Sequence, residues 1–453
     1  MRAVPKYEHL ILLLGDVVVL FLSLWLTLLI RYAELPSSGL LGAHIVPFSF
    51  LLVAWITVFF LAGLYGKHTR LFRSSLPSLI ASTQAINIAL AALFFFFIPV
   101  FGIAPKTNLL LYLVVSAPLI YVWRGFVFPR AQSSRSSRME GVLIASGDEA
   151  RELAEEVARD SRYPFTFSAV IDTKRVAPHE LLQRACRISE EGSVTFIAID
   201  YADPSAASAL PIIYDAAFRK EGLTLMDAAD LYQEVFDRAP LSLVGYEWVL
   251  SRIGASRMYD ALKRGIDIIG ALAIGSLSLV FYPAVCLAIK LDDGGPVFIA
   301  QERVGRFQKP LRIYKFRTMS GNDSGEYGAS GKSELSVTRV GRWLRILRLD
   351  ELPQLWAVLR GDLSLVGPRP ELPGLAAQYG ARIPYYSARY LVAPGLTGWA
   401  QIRHDRHPHH GTAIEETKEK LSYDLYYLER RSLLLDISII LQTIRVVLTA
   451  RGS

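Results

Sequence analysis

Ile266-Asp-Ile-Ile-Gly-Ala-Leu-Ala-Ile-Gly-Ser-Leu-Ser-Leu-Val-Phe-Tyr-Pro-Ala-Val-Cys-Leu-Ala-Ile289 decides how the second half of the chain is arranged. The run is longer than the roughly 20 apolar residues that cross a ~30 Å hydrocarbon core. If it crossed, everything after Lys290 would lie on the far side. Yet basic residues flank both ends, Lys263-Arg264 before and Lys290 after, with Asp292-Asp293 next. Pro283 removes a backbone donor and clashes with the preceding turn, so a bent helix is expected. The pattern predicts a re-entrant helix over 266–289 that enters and leaves on one face; a straight fifth span or a buried core helix is the alternative.

Around this run the chain has 453 residues, 52% apolar and only 20% charged. That is material for about three domains of ~150 residues, too apolar for a disordered chain or an ordinary soluble enzyme. The net charge of +7 conceals a division into a basic stretch 1–138, an acidic stretch 139–254 and a basic stretch 255–453, which predicts three parts with those bounds. Cys186 and Cys286 are the only cysteines. They form no disulfide framework or zinc pattern and permit a reducing compartment.

Four apolar stretches near 10–30, 46–66, 79–99 and 107–127 predict four transmembrane helices. The first is not followed by the small-residue cleavage site of a signal peptide, since Leu28-Leu-Ile-Arg-Tyr32 follows instead. Basic residues near the helix ends are Arg2, Lys6, Lys67, Arg70, Arg73, Arg124, Arg130, Arg135 and Arg138 on one side, against Arg31 and Lys106 on the other. The positive-inside rule then puts the N-terminus and everything after about 130 in the cytoplasm.

In the middle part, strand-like runs at 141–145, 165–171, 194–199 and 224–226 alternate with helical patterns, which predicts a small doubly wound α/β domain. Its first strand-to-helix turn holds one glycine, Gly147, and not the G-x-G-x-x-G that lets a backbone approach a pyrophosphate. A structural or regulatory domain is expected over a dinucleotide site, and one dispensable for chemistry. Tyr259 and Lys263 match the spacing of short-chain dehydrogenase catalytic residues. Without a glycine-rich loop upstream, they read as an interfacial anchor pair.

After Lys263 the composition changes to Gly, Pro, Arg and acidic clusters. Val297–Arg303 is strand-like, and Lys315 and Arg317 follow a second strand-like run. Arg303, Lys315 and Arg317 come together only if these strands pair. In Leu347-Arg-Leu-Asp-Glu-Leu-Pro-Gln-Leu-Trp356, Pro353 is tolerated only in a first turn, so a helix is expected to start near Asp350. Asp350 is then either a plain N-cap or a carboxylate kept ionised at a helix N-terminus that also favours phosphate. Gly361-Asp-Leu-Ser-Leu-Val-Gly-Pro-Arg-Pro370 sets Arg369 between Pro368 and Pro370, a rigid mount for a fork of donors that suits phosphate.

Together with Gly295-Pro-Val-Phe298, Gln301-Glu-Arg-Val-Gly305, Lys315-Phe-Arg-Thr-Met319, Pro394-Gly-Leu-Thr-Gly-Trp-Ala-Gln401 and Tyr423-Asp-Leu-Tyr-Tyr427, these segments resemble the bacterial polyprenol-phosphate phosphoglycosyltransferases with a monotopic catalytic domain, in their large form. The resemblance implies a membrane α plus α/β fold class. Its parts would be a four-helix transmembrane domain (1–138), a Rossmann-like domain (139–254) and an α-rich catalytic domain with the re-entrant helix (255–453). It implies transfer of a sugar 1-phosphate from a UDP-sugar to undecaprenyl phosphate with release of UMP, as the start of exopolysaccharide, capsule or O-antigen assembly. By that likeness Asp350 is the nucleophile of a covalent phosphosugar intermediate and Glu351 helps place Mg²⁺. Arg303, Lys315, Arg317 and Arg369 are then the phosphate-binding cations. The expected setting is the cytoplasmic face of the bacterial inner membrane, as a homodimer among lipid, with no nucleic-acid partner. A silent scaffold for glycan assembly and a nucleotide-sugar dehydratase are the alternatives. The Asp350-Glu351 pair with Arg369 argues against the first, and the missing glycine-rich loop against the second.

The family usually carries Ser-Pro at the helix break, where this chain has Tyr282-Pro283. Arg403-His-Asp-Arg-His-Pro-His-His-Gly411 has no helical i,i+4 His pair and reads as a basic exposed loop over a metal site. Arg339, Arg342, Arg345 and Arg348, spaced by three among Trp343, Leu344, Ile346 and Leu347, predict a basic amphipathic helix at an anionic lipid surface. Leu433–Leu448 carries Asp436, Gln442 and Arg445 and is expected to lie on the membrane or the core without crossing.

Overall fold

The computed structural model describes residues 8–65, 76–98, 106–128, 138–160, 163, 165–177, 179–181, 183–184, 187, 194–207, 209–219, 223–254, 257–320, 336–403 and 414–448. They group into two compact units, residues 1–139 with 160–166, and residues 140–159 with 167–453. The His404–His410 segment, Cys186, and Arg2, Lys6, Lys67, Arg70, Arg73, Arg130 and Arg135 lie outside the described residues.

The first unit consists of α1 (Glu8–Tyr32), α2 (Ser38–Leu61), α3 (Leu76–Phe97) and α4 (Lys106–Val122), the last continuing into a π-helical turn at Trp123–Val127. All four are long and apolar enough to cross a membrane. A helix satisfies its own backbone polar groups, as a lipid core demands. The Ser37 hydroxyl accepts the Leu40 N–H at 3.3 Å and starts α2. Phe48, Trp55 and Tyr112 pack together inside the bundle with ring centroids 5.1 to 5.7 Å apart, while Val18, Phe50, Val53 and Val114 are exposed.

Arg124 departs from its expected place among the basic residues at the helix ends. It is buried, donating Nε to Asp16 Oδ1 at 3.0 Å and Nη1 to the Leu64 carbonyl at 2.7 Å. The Tyr65 hydroxyl donates to Asp16 Oδ2 at 2.7 Å. Asp16 on α1 supplies a counter-charge inside the bundle, so Arg124 drops out of the positive-inside count. Apolar periodicity along one helix does not reveal such a partner.

In the second unit a four-stranded sheet has the order β2 (Phe165–Ile171), β1 (Met139–Ile144), β3 (Phe196–Ile199), β4 (Thr224–Asp227). β1 pairs parallel with β3 and β3 with β4, in the register Val142↔Ile197↔Leu225. The central strand β3 is buried along its whole length, as a parallel strand covered on both faces is. The longer helices of this region are α5 (Asp148–Arg159), α6 (Leu210–Arg219), α7 (Ala228–Phe236) and α8 (Tyr246–Arg252). Gly147 takes φ +106°, a left-handed conformation that side chains avoid, and Ser242 closes over it. Ser242 donates its backbone N–H to Glu149 at 3.3 Å, so the chain itself covers the turn.

Residues 237–246 join this sheet region to the rest of the unit. Trp399 Nε1 donates to the Asp237 carbonyl at 2.8 Å, Ala239 N–H to the Ser422 carbonyl at 2.9 Å, and the Tyr385 hydroxyl to the Val244 carbonyl at 3.0 Å. Arg252 pairs with Asp227 at 3.2 Å and with Glu429 at 3.1 Å, and also with Asp230.

The predicted bend is present. α9 (Arg257–Leu279) and α10 (Tyr282–Asp293) meet at 58°, with Pro283 in the first turn of α10, where its missing N–H is no loss. There follow β5 (Phe298–Val304), β6 (Pro310–Phe316), α11 (Arg339–Ile346), a 3₁₀ turn (Leu349–Gln354), α12 (Leu355–Arg360), β7 (Ser364–Val366) and α13 (Pro373–Arg382). A further 3₁₀ turn (Tyr386–Leu391), β8 (Gly395–Thr397), α14 (Trp399–Arg403), α15 (Ile414–Arg430) and α16 (Leu433–Leu448) complete the unit. Leu355, Val358, Val366, Trp399, Tyr427 and Ile439 form its core. Ile269, Leu272, Leu277, Val280, Phe281, Leu287 and Leu291 on the bent pair are exposed.

Tyr259 and Lys263 are not interfacial anchors. The Tyr259 hydroxyl donates to Asp436 Oδ2 at 2.8 Å, Lys263 Nζ pairs with the same oxygen at 3.2 Å, and the Tyr427 hydroxyl donates to Oδ1 at 2.9 Å. A buried carboxylate needs such partners. Asp436 on α16, far away in sequence, supplies the reason for their burial.

Candidate active site

The strands of the expected cation cluster do pair. β5 and β6 form an antiparallel hairpin in the register Ile299↔Lys315 and Arg303↔Leu311. Lys315 is half-buried, and burial first, then the positive charges of Arg303 and Arg369, push its ammonium down to about 8. Arg303 is buried. It donates Nη2 to Gln301 Oε1 at 2.7 Å and Nη1 to the Pro370 carbonyl at 3.3 Å, so it props the loop that carries Arg369. The Arg317 guanidinium fills the space beside Gly295 and acts on Asp292. Of the three expected strand cations, Lys315 is therefore the one that faces both carboxylates.

The helix expected to start near Asp350 begins later. Arg348 adopts φ +56° and ends the preceding turn; Leu349–Gln354 forms a 3₁₀ turn containing Pro353, and the α-helix proper starts at Leu355. Asp350 and Glu351 sit in that turn, half-buried. Burial, and next the charge of Glu351, raise the Asp350 carboxyl above the ordinary 3.8 despite Lys315, Arg345 and Arg348. Burial also works against Glu351, but Arg369, Lys315, Arg348 and the Arg369 hydrogen bond outweigh it and lower its pKa. From sequence a helix N-terminus is expected to favour the ionised form; instead desolvation and a like charge raise the Asp350 pKa. Adjacent carboxyl groups have been driven apart, one a fixed anion and its neighbour a titrating group.

Arg369 donates Nη2 to Glu351 Oε1 at 2.9 Å. Pro368 and Pro370 limit its backbone, and the loop is tied on both sides. Gly367 N–H donates to Thr397 O at 2.8 Å and Gly395 N–H to Pro368 O at 2.9 Å. Arg389, only 2% exposed at its side chain, donates Nη2 to the Arg369 carbonyl at 3.0 Å and pairs with Glu371 at 3.3 Å and Asp424 at 2.9 Å. Burial opposes the charge of Glu371, but Lys420 and Arg389 hold it well below the usual carboxylate range.

Sequence reasoning missed Arg345 and Arg348 as neighbours of Asp350. Their three-residue spacing assigned them to a basic amphipathic helix; α11 covers Arg339–Ile346 with Trp343 exposed, and Arg348 lies beyond its end. Their position just before Asp350 was the available signal. Arg389 and Glu371 were also missed, and Asp424 was quoted only inside a motif.

Among the described residues no group of three or more His, Cys, Asp or Glu side chains stands together to cage a metal. Asp350 and Glu351 are hard oxygen donors. Mg²⁺ is ordinarily held by one or two carboxylates with water and substrate phosphates completing the shell, so this pair fits that ion in its usual form.

A sequence model described as bacterial sugar transferase matches residues 258–450. A UDP-N-acetylgalactosamine-undecaprenyl-phosphate N-acetylgalactosaminephosphotransferase of Aeromonas hydrophila is 41% identical over 210 residues, which is 46% of this chain and 48% of that protein. The chain thus spans about half the length of that relative. A UDP-glucose:undecaprenyl-phosphate glucose-1-phosphate transferase of Caulobacter vibrioides is 42% identical over 192 residues, covering 42% of this chain and 71% of the relative. The exopolysaccharide production protein PSS of Rhizobium leguminosarum is 38% identical over 193 residues, 42% of this chain and 96% of its own length. On these matches, and with the shared segment carrying every carboxylate and cation of the site, the chain belongs to the bacterial sugar transferase family.

Proposed function

We propose that the chain moves a sugar 1-phosphate from a UDP-sugar to undecaprenyl phosphate and releases UMP. The observation that carries this reading is the Asp350-Glu351 turn surrounded by Lys315, Arg345, Arg348 and Arg369. The relatives' names, one an N-acetylgalactosamine and one a glucose enzyme, support the reaction class and leave the sugar open. Purified protein in lipid, given undecaprenyl phosphate and a panel of UDP-sugars, is expected to release UMP with one of them. No UMP from any UDP-sugar would remove the proposal.

In the mechanism, an Asp350 carboxylate oxygen attacks the phosphorus that bears the sugar. The bond to the UMP oxygen breaks and UMP leaves with the electron pair. An oxygen of undecaprenyl phosphate then attacks the aspartyl phosphosugar, freeing the Asp350 carboxylate and giving the lipid diphosphate sugar. A carboxylate approaching a diphosphate meets like charge, and one such pair at ~4 Å costs ~4 kcal/mol at an effective dielectric of 20, about three decades in rate. Lys315, Arg345, Arg348 and Arg369 offset that repulsion before the substrate arrives, which is electrostatic preorganisation. Glu351 and Asp350 would hold Mg²⁺, which would supply further charge neutralisation there. One phosphoanhydride is exchanged for another, so no ATP is needed.

Because only the ionised Asp350 attacks and its pKa is raised, the first half-reaction is expected to slow as pH falls, with an inflection above the 3.8 of an ordinary aspartate. Single-turnover UMP release measured against pH checks this. An inflection at or below 3.8 would remove Asp350 as the titrating nucleophile.

The bent α9–α10 pair is proposed to be re-entrant, with the catalytic part on the cytoplasmic face of the bacterial inner membrane. Met258 and Leu291, near the two ends, are 75% and 77% exposed. Single cysteines there, in a chain stripped of its native cysteines, should both react with a membrane-impermeant maleimide from the cytoplasmic side. Labelling from opposite sides would make the pair a true span. The α/β region, which lies outside the 258–450 family match, is proposed to be structural or regulatory.

A further inference from the structure

The base of the bent helix touches both elements that carry the site. Arg264 on α9 donates Nη1 to the Val358 carbonyl at 2.6 Å and Nη2 to the Leu359 carbonyl at 2.5 Å. These are carbonyls of the last turn of α12, at the negative end of the helix dipole; the Val358 carbonyl also accepts the Gly361 N–H at 3.1 Å. α12 continues directly from the 3₁₀ turn of Asp350 and Glu351. Three residues along the same face of α9, Asp267 is 5% exposed, and its Oδ1 accepts the Leu365 N–H at 2.9 Å and the Ser364 hydroxyl at 3.0 Å. β7, which contains both donors, runs into Gly367-Pro368-Arg369-Pro370. Next along the helix Gly270 faces Leu365, and a Cβ there would come within 2.6 Å of Leu365 Cδ1. Ala271 is fully buried.

We propose that Arg264 and Asp267 are positioning residues, by which the membrane-bent helix holds the Asp350-Glu351 turn and the Arg369 loop at their working separation. The proposal rests on the transferase reading. Neither residue touches substrate. Arg264 fixes the far end of the short helix behind the carboxylates, and Asp267 fixes the strand before the arginine. The Arg369 to Glu351 bond closes this frame across the site. Charge-assisted bonds hold such frames firmly, and a shift of about 1 Å at a reacting centre costs ~100-fold in rate. The same helix carries the exposed apolar surface of Ile269, Leu272 and Leu277, so whatever seats it in lipid also sets the frame.

The test uses the full chain in lipid nanodiscs and two readouts, the single-turnover rate of UMP release and amide hydrogen exchange. Asp267→Ala is expected to slow UMP release by ~10- to 100-fold with KM for the UDP-sugar within about threefold, and to speed exchange across 363–370 while 414–430 stays protected. Asp267→Asn keeps an oxygen that accepts both bonds and should recover most of the rate. Ser364→Ala, which removes one of the two bonds, should fall between and guards against a misfolded Asp267→Ala. Arg264→Gln should speed exchange across 355–361. A normal rate in Asp267→Ala, unchanged exchange at 363–370, or an Asp267→Asn as slow as the alanine variant would each overturn the proposal. If the unmutated protein releases no UMP with any UDP-sugar, the transferase reading fails, while the exchange arm still decides the positioning.

Discussion

Protein with Asp350→Asn is expected to release no UMP from a UDP-sugar in the absence of lipid acceptor, where the unmutated protein releases about one per site and retains sugar phosphate. An amide cannot form the acyl phosphate, and removal of a covalent nucleophile ordinarily costs at least ~10⁴-fold. Radiolabelled sugar on the denatured, washed protein measures the retained half, and UMP in the supernatant the other. Retention of label by the variant would defeat the assignment, and UMP release only when both substrates are present would favour direct transfer between them. Folding provides the control, with a definite sign. The folded-state pKa of Asp350 lies above the 3.8 of the unfolded chain, so its protonated form favours folding at low pH, and that contribution is lost as pH rises through the folded value. At neutral pH the ionised group is therefore a burden to the fold, and Asp350→Asn should melt no lower than the unmutated protein. Glu351→Gln and Arg369→Ala each break the 2.9 Å pair and should slow transfer while leaving the protein folded.

The second large effect is in the helix bundle. Asp16→Ala should destabilise the first unit by ~3–5 kcal/mol, because Arg124 is left buried without its counter-charge. Asp16 is fully buried and Arg124 is 7% exposed. The remaining bond to the Leu64 carbonyl and the Tyr65 ring, 4.8 Å from the guanidinium carbon, cannot replace a carboxylate. Arg124→Met should cost a comparable amount by stranding Asp16. The pair Asp16→Leu with Arg124→Met should recover most of the loss, since a buried ion pair replaced by packed apolar groups is often neutral or stabilising. Unfolding in mixed micelles measures all three. Single variants within ~0.5 kcal/mol of the unmutated protein would show that the pair is solvated in the membrane.

Sequence alone determined the elements whose causes are local. Four apolar runs became four helices because length and hydropathy suffice for that. The bend fell at Pro283 because proline forbids a continuous helix there. The alternation of strand and helix patterns over 139–254 gave a parallel sheet, and the strands around Arg303 and Lys315 paired as required. The family motifs grouped Asp350, Glu351 and Arg369 before any geometry was available, and in the fold Arg369 pairs with Glu351 next to Asp350.

What only the tertiary structure decided concerns partners distant along the chain. Arg303 and Arg317 are cations in motifs like Lys315, and only the fold shows that Arg303 bonds Gln301 and Pro370 and that Arg317 lies beside Gly295. Tyr259 and Lys263 face Asp436, 173 to 177 residues later. Arg124 meets Asp16 across 108 residues. The direction of the Asp350 pKa shift reversed its local expectation, because desolvation and the charge of Glu351 outweigh a short helix terminus. Periodicity and turn chemistry act over a few residues and can be read in order. Burial and the identity of a counter-charge are properties of the packed chain, set by residues that come together only when it folds.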